Sequence, residues 1–268
     1  MKLTAEQKDF FTTFGFIKFP QLFADRLEWI IHEFTHTFPN TNVHDGSKRT
    51  CVVPFIDQRM STLLDDPRIE EIGSALLGKN FNYMGSDGNY YTGDTRWHRD
   101  GNHPKYKHLK IAFYLDKIDG NFGALRVIPG SHRLDDQFGK DLGQKTSKSD
   151  EFWGIDGSNV PAVALDVIPG DALVFDHNIF HSSWKGNTSR RMFTINLCER
   201  YEDQDIQKLR DYLSGASRFW LDRSFGETMM NTAPHGRMIH LEQVMANDGH
   251  LAALSAERRK TESEPARG

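Results

Sequence analysis

The chain has 268 residues, 38% of them hydrophobic, which is enough to bury the core of one large domain or two small ones, and a single domain is expected. It shows no run of eighteen apolar residues, and MKLTAEQKDFF has neither the basic start nor the apolar stretch of a leader, so a soluble, cytoplasmic protein without membrane contact is expected. The net charge of -4 gives no basic field for nucleic acid, and Cys51 and Cys198 are too few for a disulfide framework or a paired-cysteine zinc site, so free thiols are expected.

Thr4 followed by Gln7 has the spacing of a capping box, and it opens a segment carrying Phe10, Phe11 and Phe14 that ends at Gly15. This predicts a first helix. Leu27, Ile30, Ile31 and Phe34 recur at helical spacing with Glu28 and Glu33 between them, which predicts an amphipathic second helix. In DDPRIEEIGSALLG, Asp66 suits the N-cap, Pro67 the first helical position and Gly78 the stop, giving a third.

From residue 81 the pattern changes to short aromatic and β-branched runs separated by Gly, Pro, Asp and Asn. These predict strands. In LKIAFYLD, alternation puts Leu109, Ile111, Phe113 and Leu115 on one face and Lys110, Ala112 and Tyr114 on the other, so one face packs and the other can line a cavity. GALRVIPGSH, VALDVIPGDALVFD and RRMFTINLCER supply further strands, with Ile-Pro-Gly turns at 128–130 and 168–170. Helices followed by many strands predict an α+β, mainly β fold with a jelly-roll-like barrel. Residues 1–80 are then helical support, 81–200 the barrel core, 201–255 a helical extension, and the charged 256–268 a disordered tail.

The strongest chemical feature is WHRDGNH, where His98 and Asp100 stand two apart and so point to the same side of an extended segment. His181 follows the strand DALVFD and a short turn, completing two histidines and one carboxylate. Such a set occupies one face of an octahedron and leaves positions for a bidentate cosubstrate and O2, as in non-haem Fe(II) oxygenases, whereas a closed structural zinc site leaves none. Among twelve histidines an HxD pair alone is weak, and a surface turn with a satisfied histidine is the bland alternative.

The order HxD, then NFGALRVIPGSH, then PGDALVFDHNIFHSSWKGNTSRR, resembles the phytanoyl-CoA dioxygenase family of Fe(II)- and 2-oxoglutarate-dependent oxygenases, over roughly residues 4–200 including the opening helix with its FGFIKFPQLF run. The resemblance implies a double-stranded β-helix of cupin-like type. It also implies iron held by His98, Asp100 and His181, with 2-oxoglutarate and O2 as cosubstrates, and hydroxylation of a small molecule with release of succinate and CO2. Relatives that halogenate carry a small residue in place of the carboxylate, so Asp100 implies hydroxylation. A basic residue on the last barrel strand is implied for the distal carboxylate of 2-oxoglutarate, and Arg190 and Arg191 are both available, the segment from His181 being shorter than is usual. Alternation groups Arg190 with Thr194 and Asn196 on the more polar face, and Arg191 with Phe193, Ile195 and Leu197 on the other. An arginine pair can also be a solvated strand edge. Ser183 matches a position whose hydroxyl helps hold 2-oxoglutarate, and Lys110 one where relatives present a polar group, though a surface lysine is the plain alternative.

Tyr91 and Trp97 precede the HxD pair and are candidates for the substrate wall, against the commoner role of aromatic core. Arg126 with Lys110 would suit an anionic substrate if both face the lumen. His103, His108, His132 and His177 are expected to be exposed or hydrogen-bonded, with His132 in a structural turn. A cupin-like metal-dependent isomerase and a non-catalytic ligand sensor remain alternatives on the same scaffold. The protein is expected to be a monomer or homodimer, with the segment after residue 201 covering the pocket or forming a dimer contact.

Overall fold

The computed structural model describes residues 2–37, 50–52 and 59–266, and only the backbone at 50–52, 89–92 and 187–189. Helix α1 (Ala5–Phe14) begins with the capping box: Gln7 N donates to Thr4 Oγ1 at 3.2 Å, and Thr4 N donates to Gln7 Oε1 at 3.0 Å. Gly15, at φ 79°, ends it. The chain then extends as β1 (Phe16–Phe19), pairing from Phe16↔Phe175 to Phe19↔Ala172, so FIKF is an edge strand and not part of the opening helix. Helix α2 (Leu27–Thr37) buries Ile30 and Phe34, β2 (Thr50–Val52) is short, and α3 (Pro67–Leu77) is capped by Asp66, whose carboxylate accepts from Arg68 N at 3.0 Å.

The strands that follow are β3 (Asn82–Gly85), β4 (Gly88–His98), β5 (His108–Tyr114) and β6 (Leu125–Val127). After the helical insertion α4 (Gln137–Lys145) and α5 (Ser149–Trp153) come β7 (Val163–Leu165), β8 (Ala172–Asp176) and β9 (His181–Cys198). Pairing is antiparallel throughout, in the order β1-β8-β5-β9-β4-β2, with β3 and β6 also on β9. The length of β9 makes this possible: its first residues pair with β6 and the end of β4, its last with β5 and β3.

Alternation along β5 and β9 divides the interior. Leu109, Ile111, Phe113, Phe193, Ile195 and Leu197 pack against Ile30, Phe34 and Ile72, and the Phe113 and Phe193 rings stack at 4.5 Å. Ala112 and Tyr114 turn the other way, toward Leu125, Leu173 and Phe175.

The chain ends in α6 (Ile206–Ser214), α7 (Glu227–Asn231), α8 (His235–Met245) and α9 (Leu251–Thr261). Helix α8 docks on β3 through Asn82 Nδ2 donating to Gln243 Oε1 at 2.8 Å and the His240 ring stacked on Phe81 at 3.7 Å. The expectation of a disordered tail from residue 256 is corrected. Helix α9 extends into it as far as Thr261, and the segment is anchored by Arg258 on Ser217, Arg259 on Asp222 and a backbone bond from Ala266 N to Arg218 O. Among the described residues no helix is long and apolar enough to cross a membrane.

Candidate metal centre and its pocket

The last residue of β4 lies opposite the first of β9, His98↔His181, which sets the two rings side by side with centroids 4.2 Å apart. The following turn is fixed by Asp100 N and Gly101 N, both donating to His177 O at 3.0 and 3.2 Å, and this brings the Asp100 carboxylate in front of both rings. His98 Nδ1 lies 2.8 Å from Arg96 O, and His181 Nδ1 lies 3.0 Å from Ile179 O. A carbonyl can only accept, so each Nδ1 carries the proton and each Nε2 is left with a lone pair. Both Nε2 atoms stand 3.6 Å from Asp100 Oδ1, too far for a hydrogen bond. Three lone-pair donors thus converge with no proton to share between them, and a cation between them satisfies all three. The residues fit a divalent metal.

Lys110 Nζ lies 2.7 Å from the other carboxylate oxygen, Asp100 Oδ2. Burial by itself would raise the Asp100 carboxyl, but the Lys110 ammonium, with smaller contributions from the neighbouring histidines, holds it well below the usual carboxylate range. Burial likewise pushes His181 down to about 4 against the pull of Asp100, so its imidazole is neutral at pH 7.

The pocket beside this cluster is bounded by Tyr114, Leu125, Phe175 and Met192 on its apolar side and by Asp87, Thr95, Ser183, Arg190 and Thr194 on its polar side. Arg190 is 2% exposed, and its Nη1 donates to both Gly123 O and Ser183 Oγ. Ser183 Oγ also donates to Gly123 O at 2.9 Å. Gly123 is required by its own backbone, at φ 79°, and by its neighbour: a Cβ there would lie 2.9 Å from Arg190 Nη1.

His98, Asp100, His181, Lys110, Ser183 and Arg190 therefore meet in one pocket, and three other candidates do not. Arg191 points to the outer face, where its Nη2 meets Asp116 at 2.8 Å. Arg126 is committed to two backbone carbonyls, Ser158 O at 2.7 Å and Gly120 O at 2.9 Å, because Leu125 is the residue of β6 that faces the pocket. Trp97 packs with Ile128, Val160 and Phe180 and donates to Gly157 O at 2.7 Å, a core role. The Tyr91 side chain lies outside the described residues. Lys110 reaches the pocket, but its partner is Asp100. Asp87 was missed: it sits in the bend before β4, held by Thr194, where no periodicity marks it.

The remaining histidines divide. His132 hydrogen-bonds Thr12 O at 3.1 Å, as expected of a turn residue. His103, His108 and His177 form a second cluster, in which burial pushes His103 down to about 4 and His177 to about 3 and holds His108 well below the usual range.

Antiparallel strands around a two-histidine, one-carboxylate cluster, with a buried arginine lining the same pocket, are the arrangement of the iron- and 2-oxoglutarate-dependent oxygenases. The model of the phytanoyl-CoA dioxygenase (PhyH) family matches residues 29–192, more than half of the chain, and the chain belongs to that family. Its structure is similar to that of EvdO2 from Micromonospora carbonacea var. aurantiaca, crystallised with 2-oxoglutarate, at 20% identity and TM-score 0.57 over 75% of this chain and 92% of that one. It is similar to EctD from S. alaskensis at 22% identity and TM-score 0.57, over 74% and 77% of the two chains. SnoK, a non-haem α-ketoglutarate-dependent carbocyclase from nogalamycin biosynthesis, matches at 19% identity and TM-score 0.51 over 78% and 90%. At these identities the likeness is one of fold. No curated protein sequence matches.

Proposed function

We propose that the chain is an Fe(II)- and 2-oxoglutarate-dependent dioxygenase that hydroxylates a small-molecule metabolite, with release of succinate and CO2. The supporting observation is the convergence of His98 Nε2, His181 Nε2 and Asp100 Oδ1 in the pocket that also contains Arg190. In this reading those three atoms hold the metal. When bound, iron with 2-oxoglutarate and O2 supplies the oxidising chemistry, splitting 2-oxoglutarate into succinate and CO2 and transferring one oxygen atom to substrate.

The rest is the work of the chain. Lys110 keeps Asp100 ionised and occupies its second oxygen, so that one oxygen alone faces the metal. Arg190 offers a guanidinium to the distal carboxylate of 2-oxoglutarate, a planar, always-charged fork suited to that task in a buried place, and Ser183 beside it can turn its hydroxyl from Gly123 O to the same carboxylate. Tyr114, Leu125, Phe175 and Met192 exclude water from the reacting centre. With Arg126 turned to backbone carbonyls and Lys110 paired with Asp100 inside the pocket, neither supports an anionic substrate, and Asp87 in the lining suits a cationic or hydroxyl-bearing metabolite. The whole is read as one domain on a double-stranded β-helix, supported by the way β9 pairs with β4 and β6 at one end and with β5 and β3 at the other.

The test is turnover of 2-oxoglutarate to succinate by the purified protein with Fe(II) and O2, which neither an isomerase nor a sensor performs. Asp100→Ala should abolish it while leaving the circular dichroism spectrum unchanged. Undiminished succinate formation in that variant, without added carboxylate or halide, overturns the metal assignment.

A further inference from the structure

Behind the turn that carries Asp100 lie three more imidazoles. His103 comes from the loop before β5, His108 is the first residue of β5, and His177 follows β8. Their candidate ligand atoms all lie within 4.8 Å of one another. The His103 and His108 rings stack at 3.6 Å, and His177 stands 5.8 and 5.6 Å from them.

Neighbouring groups determine which nitrogens are available. Asn196 Nδ2 donates to Gly85 O at 3.2 Å, so its Oδ1 faces His177 Nε2 at 3.3 Å and can only accept. His177 therefore carries its proton on Nε2, leaving a lone pair on Nδ1. His108 Nε2 is engaged by the Tyr201 hydroxyl at 2.9 Å, and its Nδ1 is sealed from solvent with no hydrogen bond. His103 is clamped by Asn178, which accepts from its backbone N at 2.9 Å and donates to its O at 3.1 Å, and its Nε2 is likewise buried without a partner.

A buried polar atom left unpaired costs about 1 to 3 kcal/mol, so two such nitrogens facing a third histidine need an explanation beyond packing. We propose that His103, His108 and His177 form a second metal site, taking a Zn(II)-class ion through imidazole nitrogen. Tetrahedral zinc with metal–nitrogen bonds of about 2.0 to 2.1 Å places its nitrogens about 3.3 to 3.4 Å apart, and the His103 and His108 rings, now stacked 8° from parallel, must rotate out of that stack to aim both lone pairs at one ion. Tyr201 and Asn196 then play the part of the outer partners that orient metal-bound imidazoles. The site is closed by Tyr212 of α6, whose ring lies 5.4 Å from His103 and 4.9 Å from His108. An ion there would tie the loop before β5 to the start of β5 and stiffen the turn at His177 that fixes Asp100. The inference rests on this trio alone, whether or not the first cluster holds iron.

Equilibrium dialysis of the full chain, free of any added histidine tag, against Zn(II), followed by elemental analysis, reads the number of ions directly. Wild type should hold two per chain. The variant His98→Ala/His181→Ala should hold one and still gain thermal stability from Zn(II), and His103→Ala, altered in a loop, should also hold one. A folded His98→Ala/His181→Ala variant that holds no ion overturns the proposal, as does a His103→Ala variant that holds as many ions as wild type, which would put the second ion elsewhere. Should His103→Ala fail to fold, His103→Gln supplies a milder replacement with the same expected loss of one ion, and a wild-type count of none overturns the proposal outright.

Discussion

Arg190 and Arg191 are adjacent in sequence and opposite in surroundings. Arg190 is buried between Gly123 O and Ser183 Oγ, whereas Arg191 holds Asp116 with its side chain 28% exposed. Removing one member of a buried, hydrogen-bonded charge pair costs about 2 to 5 kcal/mol, so Arg190→Ala should raise the apparent requirement for 2-oxoglutarate about a hundredfold or more. Arg191→Ala should change it less than about tenfold, as expected of a surface ion pair. Titration of 2-oxoglutarate in both variants checks this; a crippled Arg191→Ala enzyme with an intact Arg190→Ala one would reverse the assignment. Lys110 calls for a different measurement. Lys110→Met frees Asp100 Oδ2 and removes the charge that opposes its burial, so Mn(II) should bind about 10- to 100-fold more weakly in equilibrium dialysis. A variant with normal metal affinity and a larger 2-oxoglutarate requirement would instead return Lys110 to the cosubstrate. At this scale the site was largely legible, because period-two spacing brings His98 and Asp100 together and alternation separates Arg190 from Arg191. The same parity, applied at His98 and Leu125, turns Trp97 and Arg126 away from the pocket, and their misplacement came from judging them by residue type.

At the scale of elements, legibility followed the strength of local signals. Helices α1, α2 and α3 announce themselves through caps or period, and the caps are present as hydrogen bonds. Strand β1 has no such signal. Its four residues follow a helix directly and are drawn into the sheet by pairing with β8 more than 150 residues away, a long-range choice that propensity does not encode. The segment before β6 shows how a connection can serve the site: Gly123 presents its carbonyl to Arg190 and Ser183 in a conformation that side chains disfavour. Gly123→Ala should therefore raise the 2-oxoglutarate requirement about tenfold or more, since the new methyl group displaces the Arg190 guanidinium, yet leave Mn(II) affinity within about twofold. Comparing the two titrations on one preparation separates this from general loss of fold, which would weaken both.

For the molecule as a whole, the least legible part was the end of the chain, beyond the residues matched by the family. The helical extension expected over residues 201–255 is present, and Leu241 and Val244 are fully buried in the same core that backs β5 and β9. The charged composition from residue 256 suggested disorder, but α9 continues to Thr261 and Arg258 and Arg259 are tied to Ser217 and Asp222. The extension is thus continuous with the support of the pocket, so a ligand bound in the pocket should be felt in global unfolding. Ligand that binds only the native state stabilises it by about 2.7 kcal/mol at a hundred times its dissociation constant, which for a chain of this size is about 5 °C in Tm. The metal cluster and Arg190 lie in one pocket, so 2-oxoglutarate should find both of its anchors only when a metal is present. After chelator treatment, 2-oxoglutarate alone should leave Tm unchanged; with Mn(II) added it should raise Tm by about that amount, and Arg190→Ala should keep the shift from Mn(II) while losing the further shift from 2-oxoglutarate. Equal shifts with and without metal would instead describe a dicarboxylate-binding module that needs no ion, and the oxygenase reading would lose its footing.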